Sequence, residues 1–310
     1  MTKIDRKEIE KTQSLECAVR EAFGLEMEGR THILSKEAMS GDVAKQYNNL
    51  GISGRQDTYR RIVQDFKNRT GCYGVNHPKN NMQVGTILEV GCGSGLLSLE
   101  LAEQTNGQII GIDLSEDMLQ LADKNLKARS EEKKRQTIEF WKKLPWYCKV
   151  DREALETNPP LLDSVEFRQV NVYDLPQLVE DKQKINYMVC RNALHRFEYP
   201  ELAIHQMYSV LSQNGKLYIR DLRRDADWKI ILNRIGEKRW KNPALVEDYM
   251  GAMAAMLTTN ELEANLRALG ISQYNIGDGR YDIHNDDACV SGQINEFSTD
   301  VEYVCVIQKQ

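Results

Sequence analysis

Nothing in the 310 residues approaches the run of roughly 18 apolar side chains that a membrane-spanning helix requires. Residues 1–10 are charged where a secretory leader would be greasy, so export is not expected. Positive charge is not in surplus: 41 Lys and Arg stand against 46 Asp and Glu, a net charge of −5. That balance argues against a protein that coats nucleic acid, which needs a basic face for the phosphates. The seven cysteines (17, 72, 92, 148, 190, 289, 305) are odd in number and scattered, with no C-x-x-C pair. They fit neither a disulfide framework nor a zinc site. The five histidines (32, 77, 195, 205, 284) show no metal-ligand spacing, so no metal is expected. Internal repeats and low-complexity tracts are missing too. What remains is an ordinary globular composition, 41% apolar and 28% charged. It predicts a reduced, cytoplasmic protein of two domains, or of one large domain with embellishments.

From Val84 onward, short apolar runs alternate with longer helical patterns, the rhythm of an α/β fold with a mainly parallel sheet. Strands are expected at 86–90, 108–113, 165–170, 185–190, 216–220, 271–276 and 301–307. Ser115, followed by Glu116 and Asp117, reads as an N-cap opening a helix with Met118, Leu121 and Leu126 on its apolar face. Thr258 and Glu261 have capping-box spacing, and Gly270 stands where that helix needs a terminal glycine. Three regions fall outside the alternation. Residues 1–80 read as a helical N-terminal cap, with Ile9, Leu15, Val19 and Phe23 at helical spacing and a second run at 59–66, expected to pack over the carboxyl edge of the sheet. Residues 127–163 separate a helix from its next strand by more than such connections usually take, and read as an insertion. Its basic first part, with Trp141, Trp146 and Tyr147 nearby, is either a lid or docking surface or a solvated helix with its aromatics in the core. Residues 221–257 form a second insertion in the 81–310 domain.

The most informative stretch is Ile87-Leu-Glu-Val-Gly-Cys-Gly-Ser-Gly-Leu96, a strand that ends in a glycine-rich turn and enters a helix. Gly91, Gly93 and Gly95 permit a sharp turn and let a ligand approach the main chain. The third glycine comes one residue too early for a dinucleotide site, and the Gly-Lys-Ser/Thr of a phosphate loop is missing. Glu89, before the first glycine, would repel a phosphate and welcome an ammonium group. Twenty residues after Gly93, Asp113 ends the second strand, well placed to accept from two ribose hydroxyls. Acid, G-x-G-x-G and a second strand-end acid resemble the class I S-adenosylmethionine-dependent methyltransferases, and Gly111–Leu119 is similar to their second block. Within that class the chain resembles the small-molecule type, like the methyltransferases of ubiquinone and menaquinone biosynthesis. The resemblance covers most of 84–270 outside the insertion. It implies a Rossmann-like seven-stranded, mostly parallel sheet with an antiparallel last strand and helices on both faces. It also implies S-adenosyl-L-methionine as cofactor, held by Glu89, Gly91, Gly93, Gly95, Asp113, Leu114, Met118, Asn171, Val172 and Arg191. Asn171 stands where the family commonly has an Asp for the adenine amino group, and keeps a carbonyl acceptor without the charge. Asn186 and Asn214 also depart from the family pattern, the latter conservatively for a turn.

Methyl transfer from a sulfonium is an in-line displacement, so the protein mainly aligns donor and acceptor and excludes water. An acceptor that must lose a proton also needs a base. His195, just beyond the fourth strand at the edge where open α/β sheets bind ligands, is the best base available, since an imidazole titrates near working pH. Its alternative role is to order its loop. Tyr47 lies in a segment resembling the family's lid helix, where it either closes over the cofactor or packs in the core. Arg191, Arg196, Arg223 and Arg224 gather near the ends of strands four and five, either to grip an anionic acceptor or as solvated loop residues. Asn158-Pro159-Pro160 looks like a methyltransferase tetrapeptide, but it precedes strand three and ends in Leu161 rather than an aromatic, so it is set aside. Three functions follow: methylation of a small organic acceptor, methylation of tRNA or protein docked on the basic insertion, and a non-catalytic cofactor-binding subunit. No membrane partner is expected, and the sequence leaves the oligomeric state open.

Overall fold

Strand β1 (Thr86–Val90) is buried along its whole length, as only a central strand covered on both faces can be. In the computed structural model it lies between β2 (Gln108–Asp113) and β4 (Ile185–Arg191). The structure describes residues 30, 39–54, 56–73, 85–105, 107–143, 164–178, 185–227, 230, 243–279 and 301–310. The sheet is completed by β3 (Val165–Gln169), β5 (Leu211–Leu222), β6 (Tyr274–Asp278) and β7 (Glu302–Gln308), in the order β3-β2-β1-β4-β5-β7-β6. From β3 through β5 all pairings are parallel, whereas β7 runs antiparallel to both β5 and β6. This is the expected mostly parallel sheet with an antiparallel last strand. The chain order reverses between β1 and β4, and such a switch point opens a crevice at the carboxyl ends of the strands. Register sets the level of that crevice: Glu89 lies beside Gly111 and Val189, and Val90 beside Ile112 and Cys190.

Helices cover both faces. On one face α2 (Gln56–Thr70) and α3 (Leu96–Thr105) bury Tyr59, Ile62, Phe66, Leu97 and Leu101 against Ile87, Ile109, Val189 and Tyr218. On the other, α6 (Pro200–Val210), α7 (Pro243–Ala255) and α8 (Thr259–Ala268) bury Ala203, Met207, Met253 and Leu262 against Leu88, Met188 and Leu217. A short α5 (Leu175–Leu178) follows β3. The capping box at Thr258 and Glu261 is present, with amide-to-side-chain bonds of 3.1 and 2.8 Å in the two directions. Gly270 ends α8 with φ of 71°.

Several expectations need correction. The amphipathic run at 59–66 is α2, and it packs on a sheet face instead of over the carboxyl edge. Its Phe66 ring sits edge-on to Tyr187 and Tyr218, at centroid distances of 6.0 and 5.7 Å. Asp65 of α2 holds it there, accepting from the Tyr218 hydroxyl at 2.6 Å and facing the buried Arg220 guanidinium at 3.4 Å. Helix α1 (Gly41–Gly54) lies against α2, α4 (Glu116–Lys143) and α7, and the chain just before it meets the end of β2, where the Ser115 hydroxyl donates to the Met39 carbonyl at 2.9 Å. Helix α4 (Glu116–Lys143) runs 28 residues, so the basic first part of the expected insertion continues the helix that precedes it. Its turns are laced by charge: Arg129 and Lys133 reach Glu103 of α3 at 2.8 and 3.2 Å. Strand β5 begins at Leu211, five residues early, because Asn214 in the left-handed conformation makes a bulge where a turn was read. It also ends two residues late, taking Asp221 and Leu222 from the expected insertion. Residues 144–163, the Asn158-Pro-Pro segment and Trp146 among them, lie outside the described residues, as does the helical spacing at 9–23.

Candidate active site

The loop from β1 to α3 forms around two glycines with opposite requirements. At Gly91 (φ 71°) a side chain would meet Ala193 Cβ at 2.4 Å, so the turn closes on the loop after β4. At Gly93 (φ 53°) nothing lies within 4 Å of where a Cβ would stand, so the turn opens there to the crevice. Asp113 at the end of β2 holds this shape. One carboxylate oxygen accepts from the Gly93 amide at 2.8 Å, the other from the Ser115 amide at 2.9 Å. Burial lifts its pKa above the ordinary range, against the pull of those amides toward the charged form. A carboxylate offers about four lone-pair sites, so acceptor capacity remains for a ribose hydroxyl.

Glu89 is 3% exposed, and its carboxyl accepts from the Ser98 hydroxyl. Burial pushes its pKa up to about 8 from an ordinary 4.5, although Ser98 and Arg191 oppose the shift. A buried acid of this kind is neutral at pH 7 until a cation arrives to draw the proton out. Between about 4.5 and 8 the folded chain keeps a proton that the unfolded chain releases, so this group's contribution to stability falls as pH rises through that window. Glu89→Gln, which mimics the protonated acid, is expected to melt with wild type near pH 5, to melt above it by several degrees at pH 8.5, and to bind S-adenosylhomocysteine about tenfold more weakly. Parallel melting curves over that range would sink the assignment.

Around the crevice, Asn171 spends its carbonyl on the Tyr173 amide (3.1 Å), capping a short turn at Val172–Asp174, and one further lone pair remains on that oxygen. Val172 and Met118 are buried. Leu114 is half-buried, its carbonyl accepting from Gln169 at 3.0 Å. The Arg191 guanidinium lies over the Tyr59 ring, 5.5 Å from its centre. Tyr47 is half-buried on α1. Its neighbour Asn48 joins α1 to the glycine loop: the buried Asn125 amide donates to both Asn48 Oδ1 and the Ser94 carbonyl, each at 2.8 Å.

His195 sits in a short turn at Leu194–Arg196 and is 3% exposed. Its Nδ1 is 3.0 Å from Asp221 Oδ1. Asp221 is fully buried and also accepts the Leu194 and Leu222 amides at 2.7 and 2.8 Å. Sequence reading missed this partner by placing 221 at the start of an insertion; an acid at the carboxyl end of a strand was the available signal. Arg30 was missed as well. It donates to the carbonyls of Phe197 and Glu198 beside His195, and to the Ala255 carbonyl at the end of α7. The expected arginine grip does not assemble, because carboxylates meet three of its members: Asp248 faces Arg196 at 2.7 Å, Asp225 faces Arg223 at 2.9 Å, and Glu261 faces Arg224.

Residues 55–270 match a family model described as a methyltransferase domain. A putative S-adenosyl-L-methionine-dependent methyltransferase from Methanococcus maripaludis is similar in structure (TM-score 0.55, 21% identity, 89% of this chain and 95% of that one). So is the plantazolicin methyltransferase BpumL, crystallised with a monoazolic desmethylPZN analogue and SAH (TM-score 0.56, 15% identity, 98% of each chain). A SAM-dependent methyltransferase from Aquifex aeolicus is a third (TM-score 0.51, 14% identity, 86% of this chain and 98% of that one). Among curated proteins, none matches significantly.

Proposed function

The chain belongs to the methyltransferase domain family, and from that premise we propose that it methylates a small organic acceptor whose nucleophile loses a proton to His195. One observation carries this reading: the buried His195–Asp221 pair at the carboxyl ends of β4 and β5. The donor S-adenosyl-L-methionine, when bound, supplies an electrophilic methyl group. Glu89, the Gly91–Gly95 turn and Asp113 fit it. Glu89 takes the ammonium end, the open face at Gly93 admits the chain, and Asp113 takes a ribose hydroxyl. Leu114 and Asn171 stand at the adenine side.

Asp221 fixes the imidazole with the proton on Nδ1, which leaves Nε2 as the acceptor. With the donor bound, Nε2 of His195 would take the proton that the acceptor's nucleophilic atom gives up on methylation. Helix α7, packed against both α1 and the His195 turn, covers the acceptor side and excludes water. Tyr47 on α1 closes the same side. Cys72, Cys92, Cys190 and Cys305 are free and buried, which supports a reducing, cytoplasmic setting. Among the described residues no helix is long and apolar enough to cross a membrane, and no cluster of metal-ligating side chains occurs.

Methyl-tritiated S-adenosylmethionine with a cell extract, separated into small-molecule and macromolecular fractions, tests the proposal. Label in the small-molecule fraction is expected. Label in protein or RNA would overturn the acceptor class and turn attention to the α4 extension, where Phe140, Lys142 and Lys143 are exposed. No labelling by a protein that binds S-adenosylhomocysteine would overturn catalysis itself.

A further inference from the structure

Among the described residues, Asn192 and Asn214 are the non-glycine residues with positive φ, 50° and 63°. An asparagine tolerates this conformation because its short side chain commonly hydrogen-bonds nearby or is hydrated. Asn214 is exposed, in the bulge at the start of β5, where its side chain is open to solvent. Asn192 is different. Its Oδ1 is buried and has no hydrogen-bond partner. Its backbone is pinned, the amide donating to the Arg220 carbonyl of β5 at 2.9 Å, and the next residue, Ala193, is the one that closes on Gly91. Two costs therefore coincide at one position, a left-handed backbone and an orphaned buried acceptor. Such costs persist where a binding site needs them.

The position is the switch point itself. Val90 and Cys190 are neighbours in register, so Asn192 lies two residues past Cys190 as Cys92 lies two past Val90, and the residue after it, Ala193, meets Gly91. Glu89 borders the same turn with a buried carboxyl that a cation would satisfy. An ammonium group carries three donors and asks for more than one acceptor. We propose that Asn192 is part of the donor subsite and that its Oδ1 accepts a hydrogen bond from the ammonium at the amino-acid end of the methyl donor. This rests on the donor reading given above and adds to it a side chain that specifies the amino-acid end.

Calorimetry with two probes tests it without knowledge of the acceptor. S-adenosylhomocysteine carries the amino-acid end; 5′-methylthioadenosine shares the nucleoside and sulfur and lacks that end. Asn192→Gly frees the backbone and removes the amide, so its melting temperature should hold or rise by about 2 °C. Its affinity for S-adenosylhomocysteine should fall about tenfold, with methylthioadenosine binding unchanged. Asn192→Asp keeps an acceptor and should retain S-adenosylhomocysteine affinity within about threefold. Asn214→Gly, the same relief of strain away from the crevice, should bind both probes like wild type. Undiminished S-adenosylhomocysteine affinity in Asn192→Gly would overturn the proposal, and so would equal loss for both probes, which marks a collapsed loop. A wild-type protein that binds neither probe would overturn the donor reading itself, and this assignment with it.

Discussion

Replacing His195 with alanine is expected to lower turnover on the labelled acceptor by about 10²- to 10⁴-fold, with S-adenosylhomocysteine affinity essentially unchanged. The separation is the diagnostic part, because the proposed donor groups are Glu89, the glycine turn, Asp113 and Asn192, whereas His195 is held apart from them by Asp221. Asp221→Asn should reproduce much of the loss. The Oδ1 of Asp221 serves both His195 and the Leu222 amide, and Oδ2 serves the Leu194 amide. An asparagine must therefore turn its NH₂ toward one set of donors, and it carries no charge to stabilise an imidazolium. A His195→Ala protein retaining more than about a tenth of wild-type turnover, with an unaltered pH profile, would return His195 to loop ordering. Catalysis would then rest on alignment, as for an acceptor that is already nucleophilic.

The second large effect concerns stability. Arg220 is 1% exposed and held by Asp65 (3.4 Å), Glu302 (2.7 Å) and the Gly279 carbonyl (2.7 Å). Arg220→Met leaves the buried Asp65 without that counter-charge, although Arg69 still reaches Oδ1 at 2.7 Å and the Tyr218 hydroxyl still donates to Oδ2 at 2.6 Å. Removing one partner of such a pair typically costs about 3–5 kcal/mol. The urea midpoint should therefore fall sharply at unchanged slope. Adding Asp65→Ala should recover part of that loss, since the stranded acid is gone. A single variant within about 0.5 kcal/mol of wild type would show that the pair contributes little.

Local signals were legible. The bounds of β1 and β2 follow from apolar runs that end in glycine or in an acid, and Glu89, the three glycines and Asp113 belong to that strand-turn spacing. The caps at Ser115 and Thr258 are bonds over three residues, and the structure contains both. Tertiary meaning was not legible. The apolar face of α2 announces burial but not against which surface, and its tie to Arg220 spans 155 residues. Asp221 reads as one acid among many until the β4 and β5 ends are brought together. Asn214-Gly215 looks like a break because a bulge and a turn use the same residues. Helix α4 outran its expected end because pairs such as Arg135 with Glu132 support a helix with no continuous apolar stripe.

The tie between α2 and the sheet also bears on how such a chain can be shortened or fused. A fragment beginning at β1 would contain every residue assigned to the donor except what α1 adds. It would also hold a guanidinium sunk beneath the sheet surface and short of one counter-charge, beside a slot between Tyr187 and Tyr218 that Phe66 no longer fills. Helix α2 and the fifth strand thus share one charge network, and any design that alters that helix has to re-solve the electrostatics of the strand at the same time.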